Sequence, residues 1–365
     1  MLFSKFFWNF NFTFLILWSK FALYQRNCNF YSAMKDLKEK NYVLGIDMGG
    51  TNTEFAVVNA RGEIVDRDSI PTVGHRDIYD YVARLKSGVE ALVKRSNTRG
   101  CLRGIGVGAP CANRYTGCIE AATDLPWPSP IPLAALLEQA FSLPVSITND
   151  ANAAAAGEMA YGRARGLKNF IMVTLGTGVG SGIVCDGHLL SGTRGFAGEL
   201  GHVVVRGNGD RLCGCGRYDC LETYCSAKGV VRTAKELLGS CQDTSELRAI
   251  PEDSLTAKAI CDAARRGDAI ANEVYDFTGR MLGKACADFA AFTDPEAFIL
   301  FGGVAKAGNL IVEPMREAME ENMLHLYKNR VEILFSSLSD AEAALLGASA
   351  LASTFKNEVQ KFRSE

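Results

Sequence analysis

The feature that most limits how this chain can fold is a pattern that occurs twice: a strand, a glycine-rich turn, a returning strand, then helices alternating with further strands. Residues 42–47 (YVLGID) form an apolar run ending at Asp47 and closely followed by Gly49-Gly50. Residues 54–59 read as a second strand, and Arg61-Gly62 as the turn into a third over 64–69. An apolar stripe through Tyr79, Val82, Leu85, Val89, Leu92 and Val93 predicts a helix over 76–96. Strands over 102–108 and 145–148 flank a helix over 133–140, and an alanine-rich helix follows over 151–161. The pattern then restarts, with a strand over 170–175, a glycine-rich turn and a strand over 182–185. Helices over 227–238, 256–266 and 268–292 lead to a strand over 297–301. After Gly302-Gly303 come a helix, a strand over 331–335 and a last helix over 340–352. A chain of 365 residues is too long for one core, so the repeat predicts two packed α/β domains with a cleft between them.

Composition narrows the function classes. A formal charge of −2 gives no pull toward nucleic acid or anionic lipid. The 12 cysteines are scattered through segments that read as buried strand or helix, for example Cys185, Cys261 and Cys286, which suits a reducing cytoplasm. Residues 1–33 are out of character: they hold no Asp or Glu but contain Trp8, Trp18 and a run of phenylalanines. Lys5 and the apolar stretch 12–18 give a signal-peptide reading some support, yet Asn9, Asn11 and Thr13 interrupt the run and Lys20 follows early. The stretch is too short for a membrane span. We expect residues 1–33 to be a non-native or disordered extension, with Met34 as the start of the protein proper.

One cluster carries a metal signature. His202, Cys213, Cys215 and Cys220 supply an imidazole and three thiolates within a short, glycine-rich and hydrophilic segment. That is the ligand set of a closed tetrahedral zinc site. Buried structural thiols are the alternative, but so polar a segment has little apolar surface in which to bury them. A metal here would hold Glu199 and Glu222 in a fixed relation.

The glycine turns read as anion sites. In Asp47-Met48-Gly49-Gly50-Thr51-Asn52 the glycines let backbone N–H groups approach a phosphate, Thr51 and Asn52 add donors, and Asp47 can hold Mg2+ through water. A second loop, Gly176-Thr177-Gly178 and onward to Gly182, again lies between strands, and two such loops across a cleft can hold a polyphosphate from both sides. Gly302-Gly303 follows a buried strand, opens a helix and suits a nucleotide's sugar or base. Neither a Walker lysine pattern nor the dinucleotide fingerprint is present, which favours ATP over NAD. Asn149-Asp150 ends a strand and begins the alanine-rich helix. Asp150 there reads either as a helix cap or as the acid that takes a proton from a substrate hydroxyl.

These motifs together resemble one family. DMGGTN at Asp47, NDANAAAAGE at Asn149, LGTGVGSG at Leu175, GELGH at Gly198 and CGCGRYDCLE at Cys213 are similar to the repressor, open-reading-frame and kinase (ROK) family of sugar kinases and sugar-sensing repressors. The resemblance implies an α/β, two-domain actin-like ATPase (ribonuclease H-like) fold with an interdomain cleft. Residues 34–150 would form the first domain, completed by the helix over 340–365, and 151–339 the second, with the zinc hairpin. It implies Asp150 as general base, with Asn149, Asp150, Glu199, His202 and Glu222 on the sugar. Asp47, Gly49, Gly50, Thr51, Asn52, Gly176, Thr177, Gly178, Gly302 and Gly303 would serve ATP and Mg2+, and His202, Cys213, Cys215 and Cys220 a structural Zn2+. Many members are homodimers.

Three positions depart from the family pattern. Asp219 replaces a usual glycine, and we expect the metal site to survive because Asp tolerates left-handed backbone. Pro110-Cys111 replaces Pro-Gly at the sugar-side turn, which bears on sugar preference. Cys225 is an extra thiol near the metal, able to compete as a ligand or be oxidised. The expected activity is ATP-dependent phosphorylation of a hexose, foremost glucose to glucose 6-phosphate. N-acetylmannosamine, allose, fructose and mannose are alternative substrates. A sugar-responsive repressor is the other class, but the stretch from Met34 to Asn41 is short for a helix-turn-helix and residues 1–33 lack helical patterning.

Overall fold

The computed structural model describes residues 42–120, 125–339 and 342–352. The expectations for residues 1–33, for the start of the last helix at residue 340 and for its tail beyond 352 lie outside these.

Two five-stranded sheets share one topology. In the first, β1 (Tyr42–Met48), β2 (Asn52–Asn59) and β3 (Ile64–Pro71) run as an antiparallel meander. β4 (Leu102–Gly108) pairs parallel with β1, and β5 (Val145–Thr148) parallel with β4, giving the order β3-β2-β1-β4-β5. The second sheet repeats this arrangement. β6 (Phe170–Leu175), β7 (Val179–Cys185) and the short β8 (His188–Leu189) form the meander, while β9 (Ala297–Phe301) and β10 (Glu332–Phe335) add in parallel on the other side of β6. The predicted duplication is real at the level of topology, and in each sheet it brings the central strands to a common carboxyl end, where open α/β sheets bind ligands.

Helix α1 (Ile78–Arg95) starts on Asp77, whose carboxylate accepts the Asp80 N–H at 2.8 Å. Its buried face differs from the expected stripe in one residue. Tyr79 is exposed, and Tyr81 takes the inward position because its hydroxyl meets Thr53 Oγ1 at 2.9 Å and its ring packs on Trp127. α2 (Leu133–Phe141) covers the same core. The second sheet is covered by α4 (Glu222–Cys225), α5 (Ala227–Ser240), α6 (Ala257–Arg265), α7 (Ala269–Thr293) and α8 (Asn309–Asn322), following α3 (Asp150–Tyr161) in sequence.

Two glycine-dependent contacts join these layers. The helix over 342–352, α9, returns to the first sheet, where Leu345 and Leu346 pack with Val43, Ala56 and Val58. Its backbone comes so close to β1 and β4 that a Cβ on Gly45 or Gly106 would collide with the Leu345 or Ala348 carbonyl. α3 is the wedge between the sheets. Residues Ala151 and Ala153–Ala156 are all buried, a run of small side chains that lets strands approach on more than one side. On the second sheet, a Cβ on Gly180 would stand 3.0 Å from Ala151 Cβ, and one on Gly182 2.6 Å from Ala155 Cβ. On the first, a Cβ on Gly108 would stand 3.2 Å from Ala153 Cβ. This explains a difference from the sequence reading. Gly180 to Gly182 are strand residues of β7, flattened to receive α3, and the turn itself shrinks to Gly176–Gly178.

Candidate active site and metal centre

The wedge helix places Asp150. Asn149, not Asp150, is the N-cap: its Oδ1 accepts the Asn152 N–H at 2.7 Å, and Asp150 is the first helical residue. Capping therefore falls on Asn149 and does not engage the Asp150 carboxylate. Asp150 is exposed, and its Oδ1 accepts only its neighbour Ala151 N–H, at 2.8 Å. With Asn149 Oδ1 committed, that side chain retains its Nδ2 as a donor toward a ligand.

The first glycine turn ends at Asp150's side. Asp47 is the register partner of Gly108 in β4, and a Cβ on Gly108 would stand 3.9 Å from both Asp47 Oδ1 and Asp150 Cα. Burial foremost, with the charges of Asp150 and Glu54 acting in the same direction, lifts the Asp47 carboxyl to about 6. The turn is held from β3: the Thr72 N–H donates to Thr51 O at 2.8 Å and its hydroxyl to Gly49 O at 2.7 Å. Thr72 Oγ1 in turn lies 2.9 Å from Thr53 Oγ1. This clamp is not legible from local pattern, since a threonine at a strand end has no distinguishing signal.

The second and third turns are side by side. Gly302 has φ +99, and a Cβ there would stand 2.6 Å from Leu175 O, while the Val304 N–H donates to that same carbonyl at 3.0 Å. Only a glycine fits this approach. Gly302-Gly303 leads into a short 3-10 turn at Ala305–Ala307, and α8 begins at Asn309, later than expected. A groove beside the second turn runs from Thr177 along Lys228, Val231, Arg232 and Lys235 to Leu255 and Thr256. Those cations were not singled out in the sequence.

Glu222 ties the second turn to the hairpin. Its Oε2 accepts the Val179 N–H at 3.0 Å, and its Oε1 lies 3.7 Å from Cys213 Sγ. A Cβ on Gly178 would collide with the same carboxylate. Glu199, three residues before His202, is lifted above the ordinary carboxylate range by desolvation, with Asp150 and Glu222 adding and His202 opposing. Asp47, Asp150, Glu199 and Glu222 thus form one connected acidic site around the amino end of α3. Across it, Asn113 Nδ2 donates to Arg194 O at 2.8 Å, fastening the segment after β4 to the one before Glu199.

The four expected metal ligands come together. His202 Nδ1, Cys213 Sγ, Cys215 Sγ and Cys220 Sγ all lie within 4.8 Å of one another. Cys213 Sγ is 3.6 Å from His202 Nδ1, and Cys215 Sγ 3.7 Å from Cys220 Sγ. A tetrahedron with ordinary zinc bond lengths has S···N edges of about 3.6 Å and S···S edges of about 3.8 Å, and these two separations match such edges. Burial pushes the Cys213 thiol up, and the Cys220 thiol up to about 12, a cost that a bound dication removes by taking thiolates. Cys225 departs from the expectation that it could compete as a ligand. It is fully buried and turned away, donating to Thr278 O at 3.6 Å, and burial raises its thiol out of the reactive range. Cys111 is exposed with φ +52, the left-handed geometry for which glycine is the ordinary choice.

Comparison with known proteins agrees with this architecture. The family model described as "ROK family" matches residues 43–355. A glucokinase of Halalkalibacterium halodurans is 37% identical over 329 residues, covering 88% of this chain and 97% of that one. A Streptomyces coelicolor glucokinase is 33% identical, covering 85% and 96%. Among solved structures, a ROK glucokinase from Streptomyces griseus, crystallised with glucose and AMPPNP, superposes with a TM-score of 0.69 at 32% identity, covering 86% of this chain and 99% of that one. The fold is thus the two-domain, actin-like ATPase fold of the sugar kinases, and the chain belongs to the ROK family.

Proposed function

We propose that the protein is an ATP-dependent hexokinase that converts glucose to glucose 6-phosphate, with Asp150 as general base. The observation that carries this reading is the place of Asp150: an exposed carboxylate at the amino end of a buried helix, between two glycine-bearing sheet ends and beside Glu199 and Glu222. In the reaction the 6-hydroxyl attacks the γ-phosphorus of ATP, Asp150 accepts the hydroxyl proton, and the bond to the β,γ-bridging oxygen breaks to release ADP. Most of the rate enhancement comes from holding the reactants in line.

The remaining roles complete the proposal. Asn149 Nδ2 and the carboxylates of Glu199 and Glu222 address the sugar hydroxyls. His202 presents Nε2 to the sugar because Nδ1 faces the thiols. The turns at Asp47, Gly49, Gly50, Thr51 and Asn52 and at Gly176, Thr177 and Gly178 hold the phosphates, and Asp47 holds Mg2+ through water. Gly302 and Gly303 lie beside the adenosine, and the groove with Lys228 and Lys235 takes the outer part of the nucleotide. Zinc at His202, Cys213, Cys215 and Cys220 fixes the hairpin. Residues 34–150 with the terminal helix act as one domain and 151–339 as the other, closing on the sugar. We place the enzyme in the cytoplasm, as a homodimer; none of the 11 described cysteines forms a disulfide, and no described helix is long and apolar enough to cross a membrane.

The test is ADP release from Mg-ATP with glucose, mannose, allose, fructose and N-acetylmannosamine compared by kcat/KM. Glucose leading the panel supports the proposal, and no turnover with any hexose refutes it. Another sugar leading would move the assignment to the Cys111 turn, the departure on the sugar side.

A further inference from the structure

The hairpin has a second organising centre besides its thiols. Asp219 is fully buried and left-handed, with φ +58, a geometry that glycine adopts more easily. Its carboxylate is surrounded by donors from three places. Oδ2 accepts the Gly209 N–H at 2.7 Å, and Oδ1 accepts the Arg211 N–H at 3.0 Å and the Tyr224 hydroxyl at 2.7 Å. Its backbone continues the pattern, with Asp219 N–H donating to Arg211 O at 2.8 Å and Val205 N–H donating to Asp219 O at 3.0 Å. The Arg211 guanidinium lies over the Tyr224 ring, 4.3 Å from its centre. It donates to Thr223 O at 2.8 Å and Thr233 Oγ1 at 2.9 Å, and pairs with Glu236.

The positions joined in this way matter. Asp219 immediately precedes Cys220, a metal donor, and Tyr224 stands two residues after Glu222 in α4. The loop it gathers contains Gly207 and Gly209, both exposed and with positive φ, and would otherwise have little to order it. We infer that Asp219 is a positioning residue: it locks the 205–211 loop to α4 and so sets Cys220 for the metal and Glu222 for the sugar. The sugar half of this inference rests on the proposed role of Glu222, and the metal half does not.

The test uses the full chain with Asp219→Gly and Asp219→Asn. Glycine accepts the backbone geometry, so its effect reports the lost carboxylate, and asparagine keeps the shape while losing charge and one acceptor. Zinc affinity is read by competition with a chromogenic chelator, and glucose KM and kcat are read separately. Losing a group that orients metal ligands weakens binding by about 10- to 100-fold. We expect a zinc loss of that size for Asp219→Gly and a smaller one for Asp219→Asn, with glucose KM rising more than kcat falls. If zinc affinity falls while KM stays, the brace stands and Glu222 is not a sugar ligand. Zinc affinity equal to the parent's in both variants overturns the inference, and should the glycine variant not fold, the asparagine variant decides alone.

Discussion

Replacing Gly182 by alanine tests how Asp150 is held. The new Cβ would stand 2.6 Å from Ala155 Cβ and 2.9 Å from Ala151 O. Carbon atoms in contact sit about 3.5–4.0 Å apart, so α3 must retreat from β7 by about 1 Å. Overpacking of this kind costs about 1–3 kcal/mol, and a reacting group displaced by about 1 Å can cost about 100-fold in rate. Since α3 carries Asp150 at its amino end, kcat should fall on the order of 100-fold while the protein stays folded, measured by coupled ADP release and by the thermal unfolding midpoint. Adding Ala155→Gly removes the nearer carbon and should restore much of both quantities. Parental kcat in Gly182→Ala, or a double variant no better than the single, would refute the view that the small-residue packing of α3 on β7 sets the catalytic position.

Two further predictions concern charge and metal. Burial, with the charges of Asp150 and Glu54, holds the Asp47 carboxyl at about 6 in the folded chain, above its ordinary value of 3.8. The folded state therefore holds this proton more tightly, and stability falls as pH rises between those values. Asp47→Asn removes a penalty of up to about 3 kcal/mol above pH 6 and should be more stable than the parent at neutral pH without added Mg2+ or nucleotide. The gain should vanish near pH 4 while turnover is impaired, and a gain that does not change with pH would contradict the assigned cause. Stripping zinc with a chelator should release an amount equimolar with the chain, lower the unfolding midpoint and raise glucose KM. Release without change in either quantity would show that the hairpin stands without the ion.

Much of this arrangement was legible in the sequence, for reasons that differ by element. The duplicated meander could be read because alternating apolar runs and glycine turns are local signals, and the cysteine cluster because its spacing is itself local. Less legible was whatever depends on contacts distant in sequence. Gly180 looked like a turn residue because its partner surface, Ala151, lies on another element. Tyr79 and Tyr81 sit close together on one helix, and only Thr53 and Trp127 in the tertiary structure decide which is buried. Thr72, Asn113 and the Asp219 network act through hydrogen bonds to backbone atoms and side chains elsewhere in the fold, and no residue pattern announces them. Cys225 was misjudged from proximity in sequence, since one helical turn directs it toward α7 and away from the thiol cluster.

Hexose-dependent ADP production by the parent chain and by Asp150→Ala, both shown to be folded and zinc-loaded, tests the central claim most directly. Removing a positioned general base costs about 100- to 10,000-fold, so turnover with glucose should drop by at least the lower figure while ATP and zinc binding persist. Turnover of Asp150→Ala within a few-fold of the parent would contradict the account.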